Sequence, residues 1–412
     1  WARSIREDPS SPDLLFLATE RRVWFSLDRG ATWASLRGNM PSVPVYDIKI
    51  RDNELVAGTH GRAFWILDDL APLREIAGVR LDAPALFTPP LGYRYPTPDG
   101  FDMPGEGSWV GGFPGVPLGG ATFTRRSLPD GTRETLWLDG GKNPPNGIQL
   151  IYRLPAEADD VRISIRDAEG AVLRTFPSTS PGDRELSADE LAPRTAGTHA
   201  FVWDLRVEPA LASPRDGSPR GVVYPGPRVA PGRYTVVLEA LGSTSSQEVR
   251  VERDPRGIAT DEDLAEQYRL LVRIRDLLQR IADGIGWAAA TYETLEALRP
   301  RLAGRPLDER VGAITSEIDR FRRVLTNPDM KDHNDALKMA AGLEQKIVLL
   351  PEIVVELSDT RPVAGVYSVL DRFEAEADAA LSGLDEIRER AIPEIDSALR
   401  ADPAIPLIAP AD

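Results

Sequence analysis

Cysteine is missing from this 412-residue chain, which excludes disulfides and thiolate metal sites but does not fix a compartment. Histidine is scarce, at three residues, so imidazole ligation or catalysis has few sites to use. Basic residues are outnumbered, 49 Lys and Arg against 64 Asp and Glu, and the net charge of −15 argues against a nucleic-acid partner. No uninterrupted apolar run approaches the ~20 residues that cross a bilayer, so no membrane span is expected. No motif calls for a cofactor. What the chain does have is length enough for two or three domains, each able to bury a core. It opens on Trp1 rather than Met, already inside a strand-rich pattern. The expectation is a C-terminal piece of a longer protein whose targeting signal lies upstream.

The stretch with the most specific composition is Ser26-Leu27-Asp28-Arg29-Gly30-Ala31-Thr32-Trp33. It reads S-x-D-x-G-x-T-W between two strand-like flanks, Val23–Ser26 and Trp33–Leu36. Asp28 suits a tight bend because its carboxylate bonds backbone amides, and Gly30 takes φ > 0 without strain. Ser26 adds a hydroxyl bond, Thr32 starts the returning strand, and Trp33 packs beneath the turn as an apolar anchor. A carboxylate occupied in this way is a structural group rather than a catalytic one. No metal site is expected here or elsewhere; Lys331-Asp332-His333-Asn334-Asp335 holds ligand-type residues but reads as a capped helix start.

Shifting the sequence by 40 positions aligns it with itself. Leu15 meets Leu55, Thr19 meets Thr59, Arg22 meets Arg62, Trp24 meets Phe64, Phe25 meets Trp65 and Asp28 meets Asp68. Several short strands in a unit of this length are the pattern of a propeller blade. The second copy has Ile66, Leu70, Pro72 and Leu73 where the first has Ser26, Gly30, Thr32 and Trp33, as terminal repeats often depart from the consensus. Two blades do not close a ring, so the remaining blades are expected before Trp1 or on another chain. The loop Thr59-His60-Gly61-Arg62 sets an imidazole beside a guanidinium. It reads either as a turn whose Arg62 caps carbonyls or pairs with Asp68 or Asp69, or as a ligand-binding position at a propeller mouth, with His60 and Arg62 as the contacts.

Residues 71–125 are a Pro/Gly-rich linker with scattered aromatics that want burial, so packing on its neighbours is expected. Over 126–254, strand signals at Glu134–Leu138, Gly147–Leu154, Val161–Asp167, Val172–Phe176, Gly197–Asp204, Gly232–Leu241 and Ser246–Val251 have the spacing of an immunoglobulin-like or fibronectin-like β-sandwich. Trp203 is its expected core anchor. From 255 to 412 the period becomes helical. Thr260-Asp261-Glu262-Asp263 caps a helix running to Arg299-Pro300 with an interruption near Gly284 and Gly286. Further helices are expected near Leu307–Leu325, Asn334–Ser358 and Val363–Arg400, the last broken or kinked at Pro393. Short connections predict an antiparallel bundle.

The octet is the pattern called an Asp-box or BNR repeat. Together with Val56–Leu70, Asn143-Pro144-Pro145, Trp203-Asp204-Leu205-Arg206, Val229–Tyr234 and Asp254-Pro255-Arg256, it resembles the C-terminal end of large bacterial BNR-repeat proteins labelled "glycosyl hydrolase". Their propellers are similar to the VPS10/sortilin propeller. The resemblance spans nearly the whole chain and implies an exported protein, extracellular or periplasmic, with propellers upstream. It departs from sortilins, whose propeller is followed by a cysteine-rich module, and it lacks the Arg-Ile-Pro motif that precedes Asp-boxes in sialidases. The expected function is binding or scaffolding, with the propeller recognising a glycan or a peptide. The alternative is a glycoside hydrolase whose catalytic pair, two carboxylates about 5–9.5 Å apart, lies on upstream blades. No catalytic constellation stands in this chain, so whether it is an enzyme stays open. A third reading is oligomer formation through the acidic bundle.

Overall fold

A computed structural model describes residues 1–36, 38–76, 82–94, 123–127, 133–137, 146–181, 186–211, 222–330, 335, 337–351 and 359–401, with 123–127 and 133–137 as backbone alone. The protein is mixed β plus α, sheets first and a helical region last.

The first sheet is an antiparallel meander of β1 (Ala2–Glu7), β2 (Leu15–Thr19), β3 (Val23–Ser26) and β4 (Ala34–Ser35). The second repeats the plan with β5 (Val45–Arg51), β6 (Glu54–Thr59) and β7 (Phe64–Leu67), after which helix α1 (Ala71–Glu75) replaces a fourth strand. Period-2 alternation gives β2 and β6 a buried apolar side. Phe16, Ala18 and Val23 from one sheet and Val45, Ile48, Leu55 and Leu70 from the other are buried in a single core.

The repeat is real but its register changes partway. Leu17 stands opposite Trp24, while its counterpart Ala57 stands opposite Trp65. Trp24 is therefore equivalent to Trp65, not to Phe64, and the offset grows from 40 in β2/β6 to 41 in β3/β7. The cause is the turn: three residues join β2 to β3 and four join β6 to β7, with Gly61 and Ala63 both at positive φ. A one-residue slip exchanges the faces of a strand. The counterpart of Asp28 is accordingly Asp69, and that of buried Val23 is Phe64, which is 77% exposed.

Further along, β8 (Ala85–Leu86) and β9 (Gly92–Arg94) come from the Pro/Gly-rich segment and add edge strands to two different sheets. A hairpin of β10 (Phe123–Ser127) and β11 (Arg133–Trp137) follows. Then come β12 (Ile148–Leu154), β13 (Val161–Arg166), β14 (Val172–Pro177), β15 (Gly197–Trp203), a small pair β16 (Ala210–Leu211) and β17 (Val222–Tyr224), β18 (Gly232–Ala240) and β19 (Ser243–Arg253). One sheet has the order β15-β12-β8 and another β14-β13-β18-β19-β9. Their apolar faces share a core that includes Leu150, Tyr152, Ile163, Ile165, Trp203, Val236 and Leu238. All pairings in these two sheets are antiparallel except β9 with β19, which is parallel.

Helix α2 (Asp261–Leu302) opens with a capping box in which the Thr260 hydroxyl accepts from the Asp263 amide and Asp263 answers the Thr260 amide. It runs unbroken through Gly284 and two residues past Pro300. Gly284 is a point of close approach, since a Cβ there would stand 2.4 Å from Leu381 Cδ2. Helix α3 (Pro306–Leu325) returns antiparallel, with Arg299 pairing Asp308 near the connection and Leu325 beside Gly284. The expected helix at Asn334–Ser358 is reduced, among the described residues, to the short turns α4 (Leu343–Ile347) and α5 (Leu349–Pro351). Residues 331–334 and 352–358 lie outside the described residues, as does Asn143-Pro144-Pro145.

Helix α6 (Ala364–Glu386) runs antiparallel to α3, with Gly383 against Phe321 and Arg310 paired to Glu394 beyond it, and parallel to α2. Its contacts with α2 ascend together: Glu266 with Tyr367, Arg273 with Glu374, Arg280 with Asp378. The two helices therefore run parallel, because the connection 326–363 carries the chain back to the start of α2. Next to Pro393 the α-helix is interrupted by a π-helical turn at Ile387–Ala391, which leads into α7 (Ile392–Ala401), whose first turn accommodates the proline. Among the described residues no helix is long and apolar enough to cross a membrane.

Candidate functional site

The Ser26–Trp33 turn is closed by its own side chains. The Ser26 hydroxyl donates to Asp28 Oδ1 at 2.7 Å and accepts from the Gly30 amide at 2.8 Å. Asp28 Oδ1 also takes the Thr32 amide, Oδ2 takes the Thr32 hydroxyl, and the Trp33 indole N–H donates to the Gly30 carbonyl. Gly30 sits at φ +91°, where a side chain would be strained. Both Asp28 oxygens are thus occupied, and the Thr32 hydroxyl, the Thr32 amide and the Ser26 hydroxyl hold its carboxyl at about 2, below the ordinary 3.8. A depressed folded-state value makes the turn's contribution complete above 3.8 and lost as pH falls through about 2. An acid titration followed at the Trp33 indole proton is expected to show its midpoint near the lower value; a midpoint at the ordinary aspartate value would contradict these bonds.

His60 and Arg62 lie in the four-residue β6–β7 turn, next to groups brought in from other strands. The His60 ring stands 5.1 Å from the ring of Tyr46, and the Arg3 guanidinium covers Tyr46 at 4.1 Å. Tyr46 is 44% exposed because a register shift between Val45 and Asp47 turns it out of the alternation. Arg3 is held on its other side by Glu20 at 2.5 Å. Antiparallel pairing puts the start of β1, the β2–β3 turn, the start of β5 and the β6–β7 turn at one end of the unit. The Arg21 carbonyl accepts from the Val43 amide at 3.1 Å, and the Pro44 carbonyl accepts from the His60 amide at 2.9 Å, so the two turns flank one loop. Between Arg21, Arg22 and that loop lies a cavity of about 290 Å³, with Ser35 and Ser42 in its wall.

Arg62 pairs with neither Asp68 nor Asp69. Its carbonyl accepts the Trp65 indole N–H at 3.0 Å, and its guanidinium is exposed without an ionic partner among the described residues. Asp69 belongs to the opposite end of the unit. Its Oδ1 accepts from the Ala71 amide and from Asn53, and burial pushes its carboxyl up. Asn53 in turn accepts from Arg74, whose guanidinium grips fully buried Asp8. These carboxylates are committed to holding α1 on the sheets. Tyr46, Arg3 and Arg21 were not legible as site residues, since only tertiary pairing brings them beside His60.

A larger cavity, about 540 Å³, lies where the later sheets meet the helices. Its charged lining is already paired, Asp254 with Arg256 and Arg253 with Asp261. Among the described residues no cluster of His, Asp and Glu is arranged to hold a metal. No protein-family model matches the sequence, and no curated protein matches it.

Proposed function

We propose that this chain is a binding and scaffold protein. On this reading its first 70 residues are the last two blades of a β-propeller that recognises a glycan or a peptide. The sheets that follow form an immunoglobulin-like sandwich and the helices a bundle, and both serve to hold and display the propeller. The protein is exported, as the resemblance to bacterial BNR proteins implies. The observation that carries the binding reading is the exposed cluster of Arg3, Tyr46 and His60, in which the two rings meet at a 58° tilt with the Arg3 guanidinium over Tyr46, and Arg62 follows in the same turn as His60. Exposed aromatic rings offer apolar surface to a sugar or a side chain, and guanidinium groups recognise carboxylates and hydroxyls in fixed geometry.

The blade reading is supported by the repeat geometry. One face of the first sheet, carrying Phe16, Ala18 and Val23, is packed on the second. The equivalent face of the second sheet carries Val56, Phe64 and Ile66, with Phe64 and Ile66 exposed at 77% and 53%. A head-to-tail stack of like units leaves such a face for the next unit.

The test is affinity of the full chain for a panel of glycans and peptides. His60→Ala combined with Arg62→Ala is expected to weaken binding about tenfold, equivalent to ~1.4 kcal/mol, with the melting temperature unchanged. Undiminished affinity in a stably folded double variant would overturn the reading.

A further inference from the structure

We infer that the ligand taken at this end is a carboxylated glycan, an oligomer built of uronic acid units; this rests on the binding reading above and names its substrate class. The chain as a whole carries −15, yet this end gathers Arg3, Arg21, Arg22 and Arg62. The acids facing them are few and engaged. Glu20 is bound by Arg3, and Asp47 accepts from Ser4 and Arg6. Loop 36–44, which the two turns flank, contains no acidic residue. A local excess of cation on an acidic protein repels the rest of its own surface and draws anions to one place.

The chemistry of the surface selects among anions. Arg22 reaches the Ser35 hydroxyl at 3.1 Å, which leaves the exposed guanidinium of Arg21 beside it to meet a carboxylate at the cavity mouth. Ser35 and Ser42 in the wall suit ring hydroxyls. About 290 Å³ is at the lower edge of small-molecule pockets, about 300–1,000 Å³, so it takes one unit of a chain rather than a whole ligand. The Val43–Pro44 backbone bonds connect that cavity directly to the His60 turn. The next units of the oligomer then lie across Tyr46 and His60, with Arg62 set to meet a second carboxylate. A uronate offers ring faces and carboxylates together, as this end offers aromatic rings and guanidinium groups together. A flexible acidic peptide offers the charge without the ring faces.

The experiment titrates the full chain by calorimetry with an oligogalacturonate, the methyl ester of the same oligomer, a neutral oligosaccharide of equal length, and a polyglutamate peptide. The acid form is expected to bind, and the ester to bind at least about tenfold more weakly. Arg21→Glu and Arg62→Glu, both at exposed positions, are each expected to weaken the acid form by a similar factor. Arg51→Glu at the opposite end leaves it unchanged. Raising salt from about 0.05 to about 0.5 M is expected to weaken the acid form and spare any neutral binding. Equal binding of acid and ester, tighter binding of polyglutamate, or full affinity in a folded Arg21→Glu variant would overturn the uronate assignment. If the neutral glycan or the peptide binds in a manner dependent on His60 and Arg62, the assignment fails while the binding reading stands. If none of the four binds, both fail.

Discussion

Replacing Trp203 by alanine is expected to lower the stability of the β region by about 3–5 kcal/mol, the range of large-to-small changes in a packed core. The indole is fully buried and meets the Tyr234 ring edge-on at 5.7 Å between centroids. Its N–H donates to the Arg206 carbonyl at 3.0 Å, closing a bend in which Leu205 holds φ +63° and Asp204 accepts the Arg206 amide. Alanine therefore removes the apolar filling, the ring contact and the bond that fixes the bend. The backbone beside it is in close approach, since a Cβ on Gly147 would lie 2.2 Å from the Trp203 carbonyl oxygen. Denaturant unfolding of Trp203→Ala and Trp203→Phe separates the contributions, since phenylalanine keeps most of the volume and loses the hydrogen bond. A loss under about 1 kcal/mol in the alanine variant would show that the cavity collapses or hydrates at little cost.

The second large effect is expected at Arg94. Its guanidinium, 4% exposed, reaches the Val229 carbonyl, the Gln267 side chain and Asp359. Burial pushes the guanidinium down from its usual range and Asp359 pulls it back up. One side chain thus joins β9, helix α2 and the segment entering α6. Arg94→Ala removes the cation that answers Asp359 and one of the bonds of Gln267, which still donates to the Thr360 carbonyl, and is expected to cost about 3–5 kcal/mol. Arg94→Met with Asp359→Leu removes both charges together and is expected to recover most of that loss. The same variants report on cooperativity. If Arg94 couples the sheets to the helices, thermal unfolding of Arg94→Ala separates into two transitions, one seen by tryptophan in the sheets and one by helical circular dichroism. A single unshifted transition would deny that coupling.

Local sequence carried the elements whose signal is local. Val161, Ile163 and Ile165 alternate as a strand requires, and Leu264, Leu271, Ile274 and Leu278 recur as a helix requires, so these faces were readable and are buried. The parallel pairing of Gly92–Arg94 with Val251–Arg253 was not readable, because its partner lies more than a hundred residues away. The inserted residue in the β6–β7 turn was invisible to a fixed 40-residue shift, which therefore matched Trp24 to Phe64 when the ladder matches it to Trp65. The parallel course of α2 and α6 was not readable for a related reason. Helix α6 has its own period, but its direction is decided by the connection before it, whose residues show no simple pattern. At the candidate site, His60 and Arg62 stood out as uncommon neighbours in one loop. Tyr46 and Arg3 belong to other strands and join them only through the fold.

The parallel course of α2 and α6 has an electrostatic consequence. Two aligned helices point the positive poles of their backbone dipoles to the same end, and the single antiparallel helix α3 sets one opposing dipole against the two. Helix α2 meets this with Asp261, Glu262 and Asp263 in its first turn, while α6 has no acidic residue in its own. The carboxylates of α2 reach across instead. Glu262 and Asp263 face Arg361 just ahead of α6, and Glu266 accepts the Tyr367 hydroxyl at 2.6 Å, a bond that holds Glu266 below its usual range. The acidic run that begins one helix thus supplies the counter-charge for the start of two.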